Sequence, residues 1–167
     1  MIEEIIGNWD SYCIDENFAD IGSTRKVYRV SDYVIKVHLH SNSYKQKQNE
    51  LRVFNRMDEN GLASLLAEIY YVDDLISIQD YYLPLDLRDN QSYEINSEVH
   101  SHLILDLFEK VMNELDENFD CFDLKGSSNL GLNNKGKLVL TDYGMKKIIR
   151  KWVGSISRRR LTFTNTF

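Results

Sequence analysis

The chain has 167 residues, a net charge of −6 and ordinary shares of hydrophobic (43%) and charged (28%) residues. This length and balance predict one globular domain over residues 1–167 with a real core. No apolar run approaches the roughly 18 residues of a membrane span, so we expect no membrane partner. An acidic surface repels nucleic acid on average, which argues against a nucleic-acid partner.

Two cysteines, Cys13 and Cys121, lie far apart and form no metal-type pair, so the simple expectation is a reducing compartment such as the cytoplasm. The C-terminal end is the basic exception in this acidic chain. Its basic residues are Lys146, Lys147, Arg150, Lys151, Arg158, Arg159 and Arg160. This end fits a phosphate or an acidic partner, or simply a solvated helix terminus.

The first half of the chain alternates between strand and helix patterns. Residues 27–30 and 33–38 predict a hairpin with Ser31-Asp32 as its turn. Residues 44–60 have helical periodicity, and Gly61 stands where a helix C-cap belongs. Residues 68–72 and 75–79 predict two more strands.

The second half is less regular. Residues 81–90 predict an extended segment or loop, and 97–115 a helix with Leu103, Leu107 and Val111 on one face. A loop-rich stretch follows, and then a short strand over 137–140. The element order predicts an α+β fold with a mostly antiparallel sheet.

One group of oxygen-bearing side chains suggests a cation site. Asp142 ends a short apolar strand, and Gly144 lets the chain turn away behind it. Asn129 and Asp123 precede it in loops. Mg²⁺ takes hard oxygen ligands and usually only one or two from protein, so Asn129 and Asp142 are the candidate ligands. Asp123 is then available to orient or deprotonate an acceptor hydroxyl group.

A lysine in the first hairpin suggests a phosphate site. In Val34-Ile35-Lys36-Val37 the lysine points away from its apolar neighbours, towards the loop that contains Gly22. Its amine could reach phosphate oxygens. Glu50, on the following helix, is the carboxylate expected to position it.

Together these segments resemble the protein-kinase-like fold. Val34-Ile35-Lys36-Val37 is similar to the lysine motif of kinase strand β3, and Glu50 to the glutamate of helix αC. Asp123-Leu124-Lys125 with Asn129 resembles the catalytic loop, and Asp142-Tyr143-Gly144 the metal-binding motif. The resemblance covers roughly residues 18–145, and small kinase-like proteins of bacteriophages and bacteria are the most similar in character.

The resemblance implies an N-lobe over about 14–85 and a minimal C-lobe over 86–167. It implies ATP and Mg²⁺ as cofactors and a cytoplasmic location, that of the host if a bacteriophage encodes the chain. The implied site residues share roles with kinase motifs. They are Gly22, Ser23 and Thr24 in the phosphate loop, Lys36 and Glu50 at the phosphates, Gln79 in a hinge over 79–83, Asp123 and Lys125 in catalysis, and Asn129 and Asp142 at the metal.

The sequence also departs from the kinase pattern. Its nucleotide loop has one glycine where kinases have three, and Cys121-Phe122 stands where kinases have His-Arg before the catalytic Asp. Asn129 is six positions after Asp123, where kinases use five. Only residues 145–167 follow Gly144, which leaves little chain for a conventional peptide-binding groove.

Three functions are therefore compatible with the sequence. The first is ATP- and Mg²⁺-dependent phosphoryl transfer to a Ser or Thr hydroxyl of a protein substrate. The second is a pseudokinase-type binding module or inhibitor that acts on a host or partner protein without catalysis. The third is phosphoryl transfer to a small molecule. The sequence also leaves open a homo-oligomer in which a second copy of the chain completes the missing lobe.

Overall fold

The computed structural model describes residues 1–22, 24–85, 94–95, 100–121 and 124–146. The helices within these ranges are α1 (Ile2–Gly7), α2 (Trp9–Tyr12), α3 (Ser41–Glu59) and α4 (Phe108–Phe119). The strands are β1 (Phe18–Ile21), β2 (Arg25–Val30), β3 (Tyr33–His38), β4 (Ile69–Val72), β5 (Ile76–Asp80), β6 (Leu83–Pro84), β7 (Leu130–Leu132) and β8 (Leu138–Leu140). Ser23, Asp123 and the basic segment from Lys147 onwards lie outside these ranges.

Strands β1 to β5 form one antiparallel sheet in the order β1-β2-β3-β5-β4. The β2–β3 hairpin turns at Ser31 and Asp32, and its register pairs Val27 with Lys36. Lys36 in turn pairs with Ser77 on β5. Paired residues of antiparallel strands share a face, so these side chains lie on the same side of the sheet.

The opposite face of this sheet is apolar. Ile35, Ile76 and Ile78 are fully buried there, and Ile5 of helix α1 packs on them. The sequence pattern of residues 1–13 was too mixed to predict this helix. Its role becomes visible only when the sheet supplies the apolar surface that Ile5 covers.

Helix α3 begins earlier than predicted, at Ser41, and ends as its sequence indicates. The N–H of Gly61 donates to the carbonyl of Asp58 at 2.9 Å, and that of Leu62 to Met57 at 2.8 Å. Gly61 has φ +67°, so the helix ends in a Schellman motif, as the glycine predicts. In the described part of the chain, no helix has the length and the apolar run needed to cross a membrane.

The helix predicted over 97–115 is wrong in its bounds. Ser101–Leu103 form one 3₁₀ turn, and α4 runs from Phe108 to Phe119. Leu107, which the prediction placed on the buried face, is 38% exposed. The buried stripe of α4 is instead Phe108, Val111, Met112, Leu115 and Phe119, which share one helical face.

A second antiparallel sheet has the order β6-β7-β8, and the segment before β4 contacts its strand β8. The N–H of Ala67 donates to the carbonyl of Leu140 at 2.9 Å, and the buried Tyr143 hydroxyl donates to the carbonyl of Ala67 at 2.8 Å. The described residues thus form a five-stranded antiparallel sheet with one long helix, followed by a short helical and β part. This confirms the predicted α+β class.

Candidate functional site

A cavity of about 780 Å³ lies between the two sheets. Its lining combines apolar side chains with hydroxyl, amide and charged groups. The lining residues are Ala19, Asp20, Gly22, Thr24, Arg25, Val27, Val34, Lys36, Gln46, Gln79, Asp80, Tyr81, Tyr82, Pro84, Leu85, Ser127, Ser128, Asn129, Leu130, Thr141, Asp142 and Met145.

Most of the predicted site residues meet at this cavity. Those that line it are Gly22, Thr24, Lys36, Gln79, Asn129 and Asp142. Among the described residues, Glu50 and Lys125 do not line it, and the Lys125 carbonyl instead accepts a hydrogen bond of 2.8 Å from the N–H of Ile95. Ser23 and Asp123 lie outside the described residues, so their roles stay predictions.

The turn between β1 and β2 is tight. The N–H of Gly22 donates to the carbonyl of Arg25 at 2.9 Å. The carbonyl of Thr24 accepts hydrogen bonds from the Ser43 hydroxyl at 2.5 Å and from the N–H of Leu39 at 3.0 Å. These bonds fix the turn against the start of helix α3. Consequently Arg25, the first residue of β2, lies inside the site.

Lys36 faces the cavity as predicted, but its partner is not the expected one. Its amine donates a hydrogen bond of 2.9 Å to the carbonyl of Thr141. The side-chain amide of Gln79 donates to the same carbonyl at 3.1 Å. The residue before Asp142 is therefore held by two side chains from the five-stranded sheet.

Glu50 is fully buried and is paired with two other cations. Its carboxylate contacts the amine of Lys47, one turn earlier on α3, and lies 3.5 Å from the guanidinium of Arg25. Lys47 also donates to the Gln79 amide oxygen at 2.8 Å. The expected pairing of Glu50 with Lys36 is corrected here, since Lys47 reaches Oε2 of Glu50 from the same helix face, while Oε1 makes no hydrogen bond within the described part of the chain and faces Arg25.

Both oxygens of Asp142 have partners. The Arg25 guanidinium contacts Oδ2, and the Gln46 amide donates to Oδ1 at 2.6 Å. The side chain is 24% exposed, on the cavity side. Burial disfavours the ionised form, but the charges of Arg25, Lys36 and Lys47 outweigh it and hold the pKa of Asp142 well below its usual value.

Helix α3 is packed closely against the segment after Asp142. The Asn49 side chain donates to the carbonyl of Gly144 at 3.1 Å. A Cβ atom at Gly144 would lie 2.2 Å from Glu50 Cγ and 2.3 Å from the Gln46 carbonyl oxygen. Only glycine fits there, so this residue sets how near the helix approaches the Asp142 loop.

Burial also changes the ionisation of the basic groups. It lowers the pKa of Lys36 well below its ordinary value, and the neighbouring charges of Lys47 and Arg25 lower it further. Burial likewise lowers the pKa of Lys47, while contact with Glu50 opposes that shift. Three basic groups, Arg25, Lys36 and Lys47, thus lie close together in the site before any ligand enters.

Asn129 and Asp142 are brought together by the β7–β8 hairpin. The N–H of Thr141 donates to the carbonyl of Asn129 at 2.8 Å, and Leu130 pairs with Leu140. Both predicted ligands therefore line one wall of the cavity. Their arrangement does not fit a magnesium ion as the side chains stand, because the Arg25 guanidinium already occupies the cation position at Asp142. Within the described residues, no three His, Cys, Asp or Glu side chains cluster to hold a metal.

The predicted hinge over 79–83 connects the two sheets. The N–H of Tyr81 donates to the carbonyl of Asp32 at 2.8 Å, and Arg29 stacks 3.9 Å above the Tyr81 ring. Leu83 pairs with Leu132 in the second sheet. Gln79 itself is a buried strand residue whose amide joins α3 to the Asp142 loop, rather than an exposed hinge residue.

Sequence reasoning missed three members of the charged cluster, although signals for them exist. Arg25 lies two residues before Val27, so the predicted hairpin register would have placed it on the face of Lys36. Lys47 lies one helical turn before Glu50, and Gln46 lies four residues before it. Strand periodicity would have placed Arg25 on the face of Lys36, and helical periodicity would have placed Lys47 and Gln46 on the face of Glu50.

Comparison with family models finds no match, and comparison with curated proteins finds none either. A solved complex of APH(2")-IIa with gentamicin is similar, with a TM-score of 0.39 and 17% identity over 60% of this chain and 32% of that one. A ternary complex of APH(2")-IIa with streptomycin and ATP has a TM-score of 0.48 and 15% identity over 84% of this chain and 69% of that one. The chain spans about a third of the first structure, and likeness at this level carries no inference about activity.

Proposed function

We propose that this protein binds ATP in the cavity between its two sheets and transfers the γ-phosphoryl group to a hydroxyl group, with Ser and Thr side chains of proteins as acceptors. The observation that carries the proposal is the pair of cations, Arg25 and Lys36, that faces a cavity of about 780 Å³. This volume lies in the range of small-molecule and cofactor sites.

The lining supports a nucleotide in particular. Val27 and Val34 lie on the face of Lys36 and offer an apolar surface for a base. Ser127 is a lining residue whose buried hydroxyl has no hydrogen-bond partner among the described residues. A ligand with both a flat apolar part and several anionic oxygens satisfies these groups together.

In the proposed reaction, the acceptor hydroxyl oxygen bonds to the γ-phosphorus atom, and the bond from that phosphorus to the β–γ bridging oxygen breaks. ADP leaves, and the hydroxyl proton passes to the carboxylate of Asp123, the role that the sequence predicts for it. Lys36 and Arg25 neutralise the phosphate oxygens, because phosphoryl transfer relies mainly on positioning and charge stabilisation.

The test is transfer of label from γ-labelled ATP to a panel of proteins and small hydroxyl compounds, by the wild type and by Asp123→Asn. We expect labelled Ser or Thr with the wild type and a loss of at least ~100-fold with the variant. Label found only on small compounds would show that the acceptor is a small hydroxyl compound and not a protein side chain.

A second function is favoured by one observation, the engagement of both Asp142 oxygens by Arg25 and Gln46. This arrangement suits a binding module that holds nucleotide without transferring phosphate. Fluorescent-nucleotide titration, together with the labelling assay, distinguishes the two functions. Saturable nucleotide binding would favour the binding module if the wild type forms no more labelled product than Asp123→Asn does.

A further inference from the structure

Arg25 is a buried cation held between two carboxylates from distant parts of the chain. It is 6% exposed, and its guanidinium contacts Asp142 and lies 3.5 Å from Glu50. Gln46 completes the set by donating to the second Asp142 oxygen at 2.6 Å. The guanidinium is therefore fixed by two acids before any ligand binds.

Basic groups outnumber acidic groups in this cluster. Among the described residues the buried basic side chains are Arg25, Lys36 and Lys47, and the acidic ones near them are Glu50 and Asp142. Arg25 and Lys47 balance the two carboxylates, and Lys36 is a third basic group beside them. A divalent cation at Asp142 would add two more positive charges beside Arg25 in a partly desolvated site, which is unfavourable.

Arg25 is also one of the residues that line the cavity. Its Nη1 atom lies 3.5 Å from Glu50 Oε1 and makes no hydrogen bond among the described residues, so not all of its N–H groups are in use. A guanidinium presents five N–H groups in a planar fork that matches phosphate oxygens. The same group can therefore hold Asp142 and meet an entering polyphosphate.

Resting on the proposed function, we propose that Arg25 takes the place of the divalent cation, so that the cavity binds ATP as the metal-free nucleotide. Asp142 then serves to position Arg25 rather than to ligate a metal. Lys36, on the same face of the sheet, supplies the second positive contact to the phosphates.

The test is calorimetric titration of the wild type with ATP in EDTA and in excess Mg²⁺. We expect the dissociation constant in EDTA to equal or lie below that in Mg²⁺. Arg25→Gln should weaken binding in EDTA at least ~10-fold, whereas Arg56→Gln, at an exposed arginine on helix α3, should not change it.

Wild-type measurements alone decide the outcome if Arg25→Gln fails to fold. Manganese paramagnetic resonance supplies the second readout, and the wild type with ATP should bind no more Mn²⁺ than free ATP does. Binding of ATP only with Mg²⁺, or additional Mn²⁺ bound in the complex, would overturn this inference and leave the proposed function standing. Absence of ATP binding in both buffers would overturn both.

Discussion

The amine of Lys36 on strand β3 donates a hydrogen bond of 2.9 Å to the carbonyl of Thr141, the residue before Asp142. This contact joins the five-stranded sheet directly to the loop between the second sheet and Gly144. With the Gln79 amide on the same carbonyl, it sets the relative position of the two walls of the cavity. The site is therefore organised before a nucleotide enters.

Gly144→Ala should destabilise the protein. The new methyl group would lie 2.3 Å from the Gln46 carbonyl oxygen, so helix α3 must move away from the Asp142 loop. We expect a loss of about 1–3 kcal/mol in the free energy of unfolding, measured by urea denaturation. Gly7→Ala is the matched control, because nothing lies within 4 Å of its added Cβ. An unchanged Gly144→Ala stability would contradict the close packing described here.

Lys47→Met should be costly because it removes a partner of the buried Glu50 carboxylate. We expect a loss on the order of 3 kcal/mol, and substantial recovery in the double variant Lys47→Met, Glu50→Leu. Arg56→Met is the control, since it breaks the exposed i,i+3 pair with Glu59 on the same helix and should cost at most about 0.5 kcal/mol. Equal losses in the two single variants would show that burial does not matter for the Lys47–Glu50 pair.

ATP binding should take up protons through Lys36. Burial and the nearby Lys47 and Arg25 lower the pKa of this amine in the free protein, and phosphate oxygens would raise it again. Because the bound state holds more protons, affinity should rise as pH falls from the raised pKa of the complex towards the lowered pKa of the free protein.

Calorimetry in buffers of different ionisation enthalpy measures this proton uptake. It is done at pH 8.5, which is well above the second pKa of phosphate, about 6. Lys36→Arg is the control, because a guanidinium stays charged and should abolish the uptake. Uptake of the same size in Lys36→Arg would assign the proton to another group.

Ile5→Ala tests the packing of helix α1 on the outer face of the sheet. Ile5 is 1% exposed and contacts the cluster of Ile35, Ile76 and Ile78. Its truncation should cost about 2–4 kcal/mol in urea denaturation. Ile14→Ala, at a residue 47% exposed, should change stability by less than about 0.5 kcal/mol. Similar small effects for both would mean that α1 does not cover the sheet.

The sequence predicted the strands of the first hairpin and the face of Lys36 because both follow from local alternation and one turn. It failed for 97–115, where leucines at helical spacing occur outside the helix, and the buried face of α4 selects Phe108–Phe119 instead. Short strands such as β6 and β7 carry too few residues for a periodic signal, so only their pairing reveals them.

The candidate site was likewise predictable only in part from the sequence. Motif positions singled out Lys36, Asn129 and Asp142 in the sequence, and all three line one cavity. The partners of the charged groups could not be read in this way, because Lys36 and Lys47 compete for Glu50 in three dimensions. The contact of Arg25 with Asp142 spans 117 positions, and it depends on how the two sheets face each other.

Thermal unfolding with and without ATP tests whether a nucleotide binds at Lys36, and it is measured on the wild type, Lys36→Met and Lys26→Met. Lys26 is exposed on the strand beside Lys36 and serves as the matched control. ATP at a hundredfold excess over its dissociation constant should stabilise the wild type and Lys26→Met by about 2.7 kcal/mol and Lys36→Met far less. No shift in the wild type, or equal shifts in all three proteins, would contradict a nucleotide site at Lys36.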